Sequence, residues 1–281
     1  MKLSEAVRRY IDEYMTIKGV DDNQIVHTKA LARFWVDIIG DTELKDISLE
    51  TIGTFRSGLS TYGRYRCHNT TRNYLCELRM LLKYWKLRGE PCLDYELIPV
   101  PKREPVIPSY LSAKEVDKMI ESTDIIRTKF IISILYASGV RVSELVQLNR
   151  DTIKDGMFTV IGKGKKPRIC FTDARSEFYM KKYLSQRSDR SDALVVTKEG
   201  NRASVSTIQM VVRNATEKAG IQKKVSPHTL RHSFATNYIG NGGNIRHLAD
   251  LLGHESLNTT AHYTHIVNND LMREYRLYHS C

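Results

Sequence analysis

The chain has 281 residues, of which 41% are hydrophobic, and a formal net charge of +11. This length suits one large or two ordinary domains, and the apolar content is sufficient for packed cores. No apolar run approaches membrane length, and the first 14 residues lack a signal-peptide core. Five scattered cysteines without a CxxC pair argue against a disulfide framework or zinc ribbon and predict a cytoplasmic protein with reduced thiols.

The positive charge is concentrated in two blocks. Residues 56–88 hold eight basic side chains and one acidic one, whereas residues 1–55 hold seven basic and ten acidic side chains. Residues 100–281 hold 28 basic against 18 acidic side chains. Either block alone could be a solvated basic surface. Together they favour double-stranded DNA held from two sides.

The first hundred residues are predicted to be helical. Apolar side chains recur at helical spacing over residues 3–18, 24–38, 48–61 and 69–88, and Gly19 ends the first of these segments. The last segment carries an apolar stripe suited to a core. Its other face carries basic side chains that we expect to contact the DNA backbone: Arg72, Arg79, Lys83 and Lys86.

Four prolines within residues 98–109 mark a domain boundary. Prolines at this density favour an extended linker. We therefore predict a first domain over residues 1–97 and a second over residues 110–281. A Ser112-x-x-Glu115 capping box opens the second domain.

The second domain is predicted to combine helices with a β-hairpin. An apolar helix near residues 127–138 is interrupted by Gly139, and short β-type runs follow at residues 157–161 and 168–171. A glycine- and lysine-rich turn joins the two runs, and taken alone Lys163 in that turn could equally face solvent. A further strand is predicted at residues 193–196, with helices near residues 176–186 and 204–219.

The candidate site lies in residues 226–265. His228 and Arg231 are three residues apart and therefore share one face of a predicted helix. Gly253 is placed to end the next helix and to turn His254 toward the same cavity, and Tyr263 follows nine residues later. A cation and two imidazoles around a phenol suit phosphoryl transfer.

The order and spacing of five motifs resemble the tyrosine recombinases of the phage-integrase family, and among them the short Xer-type recombinases of bacteria and archaea. The resemblance covers roughly residues 110–270. The first domain carries none of the family's signature residues and resembles the family only as a small, basic, helical unit. The motifs are Arg141-Val-Ser-Glu144-Leu, Gly162-Lys163-Gly-Lys-Lys-Pro-Arg168, His228-Thr-Leu-Arg231, Leu251-Leu-Gly-His254 and Tyr263.

This resemblance implies a mainly α fold. A SAM-like helical core-binding domain and an α-rich catalytic domain with a small antiparallel sheet would form a C-shaped clamp around DNA. It also implies a homo-oligomer, with two protomers on each of two duplexes and a monomer or dimer when free. A paralogue or an accessory translocase could take part, and neither a membrane nor a cofactor is expected.

The resemblance also implies a role for each site residue. Tyr263 would attack phosphorus and form a 3′-phosphotyrosine without a metal. Arg141 and Arg231 each carry a planar guanidinium that stays protonated and can donate two hydrogen bonds to the non-bridging oxygens of the phosphate. His254 would donate to the same oxygens.

Proton transfer needs further groups, since a tyrosine with a pKa near ~10 is a weak nucleophile. His228 is the candidate helper for the attack, and Lys163 is the candidate general acid for the leaving 5′-oxygen. Glu144 would orient Arg141, and the neighbouring Lys165 and Lys166 would contact the DNA backbone.

Other interpretations remain open at this point. A type IB topoisomerase shares the nucleophile and cations, a DNA-binding regulator could keep the fold without the chemistry, and a zinc site would need several of the clustered histidines 247, 254, 262 and 265. Among recombinases, the role could be Xer-like resolution of chromosome dimers at a dif-like site or the integration and excision of a mobile element. The absence of an arm-binding domain before residue 1 favours the Xer-like role.

Overall fold

A computed structural model describes residues 1–20, 22–61, 68–102, 109–162 and 166–253. The chain divides into two compact units, Met1–Val106 and Ile107–Cys281. Among the described residues, none of the helices combines the length and the apolar character that a membrane span requires.

In the described residues of the first unit, the regular elements are helices. Short 3₁₀ turns lie at Leu44–Asp46 and Tyr95–Leu97. The helices are α1 (Leu3–Tyr10), α2 (Asp22–Ile39), α3 (Leu49–Thr61) and α4 (His68–Leu87).

Residues 3–15 are helical, within the segment predicted over residues 3–18, but the helix is not α-helical throughout. After α1 the chain forms a π-helical turn over Ile11–Met15, in which the Thr16 amide donates to the Ile11 carbonyl at 3.0 Å. The Thr16 hydroxyl donates to the same carbonyl at 2.9 Å. Ile11 and Met15 are both buried, so the wider turn keeps the apolar face of this segment in the core.

The apolar stripe of α4 forms the core of the first unit, as predicted. Leu78 and Trp85 are fully buried, and Trp35 of α2 packs on Phe55 of α3 with ring centroids 4.8 Å apart. The Trp85 indole also donates to the carbonyl of Ala6 at 3.2 Å, which ties α4 to α1. These contacts fix α4, on which Lys83 and Lys86 are exposed and Arg72 and Arg79 are half-buried.

The second unit surrounds the apolar helix α6 with other helices and one hairpin. Its strands are β1 (Met157–Ile161) and β2 (Pro167–Phe171). Its helices are α5 (Ala113–Glu121), α6 (Ile126–Ser138), α7 (Val142–Leu145), α8 (Ala174–Ser185), α9 (Val205–Lys218), α10 (Pro227–Gly240) and α11 (Ile245–Leu252).

The hairpin is antiparallel, with Met157 opposite Phe171 and Ile161 opposite Pro167. Side chains alternate between the core and the outside along both strands. The predicted third strand at residues 193–196 is wrong, because in the described part of the chain its ends make only isolated bridges. Ala193 pairs with Asn149 and Val196 with Arg202, and two different partners cannot form one continuous ladder.

The predicted start and stop signals of the helices are confirmed. Ser112 and Ser226 each cap a helix through a capping box, and Pro227 occupies the first turn of α10. Gly139 ends α6 with a left-handed φ of 60°. The chain then turns directly into Arg141, so the apolar helix positions the first residue of the candidate site.

Candidate active site

Arg141 lies at the N-terminus of α7, immediately after the turn that ends α6. Its backbone amide donates to Glu144 Oε2 at 2.7 Å, and its Nη1 donates to Glu144 Oε1 at 2.9 Å. The side chain remains 35% exposed. Arg141 is therefore anchored at one edge of the guanidinium while part of the group stays accessible to a ligand.

Arg231, in the second turn of α10, is only 4% exposed. Its Nη1 donates to the carbonyl of Gly139 and its Nη2 to the carbonyl of Leu252, each at 2.6 Å. These carbonyls terminate α6 and α11. The guanidinium thus joins the ends of two helices and places a permanent positive charge between them.

His228 lies one turn before Arg231, on the surface of α10. Its ring packs edge-on against His232, with centroids 4.4 Å apart. The pKa of His228 is lowered by desolvation and then by the positive charges of Arg231 and Arg141. The structure therefore brings His228 and both arginines into one electrostatic environment.

Glu144 links Arg141 to a residue that the sequence analysis did not assign a role. The side chain of Arg168 on β2 is 6% exposed, and its Nη1 and Nη2 donate to the two carboxylate oxygens of Glu144 at 2.7 and 2.6 Å. Burial alone raises the pKa of Glu144, but hydrogen bonds from Arg168 and Arg141 outweigh it and hold the pKa below the ordinary value. Glu144 is therefore a carboxylate at neutral pH.

One signal in the sequence could have identified Arg168. Successive side chains of β2 point alternately toward the core and toward the outside. Because Cys170 points toward the core, Arg168, two residues earlier, does so too. An arginine on an inward strand position needs a buried acidic partner. Glu144, one turn from Arg141 and 8% exposed, is that partner.

Four of the predicted site residues, Lys163, Lys165, His254 and Tyr263, lie outside the described residues. Their described neighbours reach the site in two places. A methyl group on Gly162 would lie 3.9 Å from Arg141 Nη1, and one on Gly253 would lie 2.9 Å from Arg168 Cδ. The chain therefore passes beside the arginine cluster just before Lys163 and again just before His254.

The sequence model of the phage integrase family matches residues 109–269, which include every motif named above. The chain belongs to the phage integrase family. Within that family this recombinase is 37% identical to tyrosine recombinase XerD of Oceanobacillus iheyensis, over 68% of each chain. It is 34% identical to tyrosine recombinase XerC of Syntrophus aciditrophicus, over 83% of this chain and 82% of the relative.

A solved structure shares the fold of the recombinase. The site-specific recombinase XerH bound to a palindromic difH substrate, in a post-cleavage complex, superposes with a TM-score of 0.72 at 22% identity, covering 99% of this chain and 85% of that one. The predicted mainly α fold with a small antiparallel sheet is confirmed. The protein is a tyrosine-type site-specific recombinase, as predicted.

The lowered pKa of His228 leads to a prediction about pH dependence. We expect neutral His228 to assist the attack, so the rate of DNA cleavage at subsaturating protein should fall as the pH is lowered. The apparent pKa of this fall should lie below the ordinary histidine value of about 6.5. Single-turnover cleavage rates measured between pH 5 and 8 would show this decline, which His228→Gln should abolish together with most of the rate. An unchanged acid limb in His228→Gln would assign the titration to another group.

The close approach of Gly253 to Arg168 leads to a prediction about stability. Gly253 has a φ of +63°, and an added methyl would meet Arg168 Cδ at 2.9 Å. Gly220 is the matched control, because its φ is +64° but its nearest contact is Lys118 Nζ at 4.0 Å. Urea unfolding should show Gly220→Ala destabilised by about 1–2 kcal/mol from backbone strain. Gly253→Ala should lose about 1–3 kcal/mol more from the overlap, and equal losses would contradict this prediction.

Proposed function

We propose that this recombinase resolves chromosome dimers at a dif-like site by cutting and rejoining DNA through a 3′-phosphotyrosyl intermediate on Tyr263. The observation that carries the proposal is the convergence of Arg141, Arg231 and His228 where α6 and α11 end and α10 begins. The names of the XerC and XerD relatives, and the dif-type substrate named for the XerH structure, support the choice of site.

The two arginines would bind the scissile phosphate. A phosphodiester gains negative charge on its non-bridging oxygens as phosphorus becomes pentacoordinate, and donors placed in advance stabilise that charge without reorganising. Arg141 offers a partly exposed guanidinium whose other edge is held by Glu144. Arg231 adds a second charge whose position is set by two main-chain carbonyls.

The remaining groups would move protons and add a donor. The Tyr263 Oη–P bond forms as the P–O5′ bond breaks, while His228 takes up the phenolic proton and Lys163 supplies a proton to the leaving 5′-oxygen. His254 donates to the non-bridging oxygens. In the second step a 5′-hydroxyl from the partner strand attacks the phosphotyrosine and releases Tyr263, so the bond energy stored in the ester drives rejoining.

Strand exchange sets the number of protomers. Each chain carries one proposed nucleophile, and exchange between two duplexes requires cleavage at four strands. The active assembly is therefore a tetramer on two DNA sites, formed in the cytoplasm from monomers or dimers, alone or with a paralogue and an accessory translocase.

Basic side chains outside the catalytic cluster would hold the DNA backbone. Lys83 and Lys86 on α4 both lie over the ring of Tyr95, and Lys86 also pairs with Asp94. These contacts hold the two ammonium groups on one face of the first unit. Contacts from lysine and arginine side chains to DNA phosphates raise the affinity for DNA without recognising its base sequence. The proposed set is Arg72, Arg79, Lys83, Lys86, Lys165 and Lys166.

Covalent trapping tests this proposal. The recombinase is incubated with a pool of nicked duplexes that carry dif-like sequences and fragments of the source genome, and sequencing identifies the DNA held in protease-sensitive adducts with blocked 3′ ends. We expect a dif-like sequence to dominate the adducts. Trapping at the ends of a mobile element would replace the Xer-type role with an integrase role, and tight binding without any adduct would contradict the chemistry.

A further inference from the structure

We infer that Arg168 is a positioning residue that neutralises Glu144 and so keeps the charge of Arg141 available to the scissile phosphate. The inference rests on the phosphate-binding role proposed above for Arg141. Arg168 itself is buried on the inward face of β2 and is not placed to contact DNA.

The two arginines share one carboxylate. Arg168 occupies both oxygens of Glu144 with a two-pronged contact, whereas Arg141 donates one side-chain bond and one backbone bond to the same oxygens. The Glu144 side chain is 7% exposed, so solvent does little to screen these charges. The stronger, bidentate partner of Glu144 is therefore Arg168 and not Arg141.

The charge balance decides how strongly Arg141 can attract a phosphate. The cluster of Arg141, Arg168 and Glu144 carries a net charge of about +1 because both guanidinium groups stay protonated. Without Arg168, the buried carboxylate would pair with Arg141 alone, and the pair would be neutral. Glu144 would then compete with the phosphate for the one guanidinium that is accessible from solvent.

Arg168 also connects three segments of the site. Its Nε donates to the carbonyl of Leu251 in the last turn of α11 at 2.9 Å, and its side chain packs against Gly253, the residue before His254. Its strand follows the turn that contains Lys163. One side chain thereby holds α7, the hairpin and the end of α11 together.

The first test compares single-turnover cleavage of the nicked duplex that the native chain traps most efficiently. Arg168→Gln should cleave about 100-fold more slowly, because the charge of Arg141 is largely cancelled. Binding of the same duplex should change less than threefold, because the scissile phosphate is only one of many backbone contacts that contribute to affinity. Cleavage at the native rate by a folded Arg168→Gln protein would overturn the inference.

A double variant separates neutralisation of charge from a merely structural role. Glu144→Gln in the Arg168→Gln background removes the competing carboxylate and leaves two amides that can hydrogen-bond to each other. Cleavage should recover at least about tenfold relative to Arg168→Gln alone. A purely structural role predicts no recovery or a further loss, and that result would overturn the inference.

A neutral substrate gives an independent readout. Replacing one non-bridging oxygen of the scissile phosphate with a methyl group removes the charge that Arg141 is proposed to bind. The ratio of native to Arg168→Gln cleavage rates should therefore fall from about 100 toward 1 on this methylphosphonate duplex. An equal ratio on both duplexes would mean that Arg168 acts through folding, and thermal unfolding of the same proteins would show the matching loss of stability.

Arg141→Ala distinguishes failure of the inference from failure of the proposed function. If Arg141→Ala cleaves the phosphate duplex normally, the proposed role of Arg141 is wrong and the inference falls with it. If Arg141→Ala loses cleavage while Arg168→Gln keeps it, the proposed function stands and only the inference is wrong.

Discussion

Tyr263→Phe is expected to abolish the covalent protein–DNA adduct. Phenylalanine lacks the oxygen that would bond to phosphorus, so the first step has no nucleophile from this position. Removal of a catalytic nucleophile reduces the rate by orders of magnitude, and we expect a loss of at least about 10⁴-fold, limited by detection. A denaturing gel of a labelled nicked duplex measures the adduct directly, and DNA binding by the variant should remain intact.

Tyr110→Phe is the matched control, because Tyr110 belongs to the same unit and is 44% exposed. It removes one phenolic oxygen from the protein surface without touching the proposed site. The adduct should form normally in this variant. Persistence of the adduct in Tyr263→Phe, or its loss in Tyr110→Phe, would show that a different residue is the nucleophile.

Arg231→Lys is expected to reduce both cleavage and stability. The two Nη groups of Arg231 donate to carbonyls of Gly139 and Leu252, and a single ammonium cannot reproduce this planar fork. One buried carbonyl would lose its donor, which costs about 1–3 kcal/mol of unfolding free energy. Cleavage should fall by about 10²–10³-fold because the charge that faces the phosphate is displaced.

Urea unfolding and single-turnover cleavage of the same protein preparations measure the two effects. Arg213→Lys serves as the control, since Arg213 lies on α9 with its side chain 68% exposed and pairs only weakly with Glu217 at 3.9 Å. It should change neither quantity appreciably. Native cleavage by Arg231→Lys would remove Arg231 from the proposed phosphate site.

The sequence predicted most helices of this recombinase correctly because their signals are local. A capping box such as Ser226 with Thr229 is a pair of hydrogen bonds between residues three apart, and it can be recognised without knowledge of the fold. A left-handed glycine such as Gly139 or Gly253 is also a local requirement at the end of a helix. These signals placed His228 and Arg231 on a helix, whereas the short helix α7 that begins after Arg141 was not predicted.

Two segments differ from the structure that their residue pattern predicts, because their surroundings override that pattern. Residues 193–196 have the composition of a strand, but their ends pair with two different segments and no ladder forms in the described chain. The π-helical turn at Ile11–Met15 also interrupts the regular helix expected over residues 3–18. Neither the missing strand nor the π-helical turn can be predicted from residues three or four positions away in the sequence.

By itself the sequence determined the family and most helices, and it named Arg141, His228 and Arg231 as candidate site residues, because motifs and capping signals can be read directly from the order of residues. Only the tertiary structure decided how their charges are shared. Arg168 reaches Glu144 across 24 residues and the Leu251 carbonyl across 83, and Arg231 reaches the Gly139 carbonyl across 92. Such contacts depend on the packing of whole helices and strands against one core, and hydrogen bonds between groups buried there become strong because water is excluded.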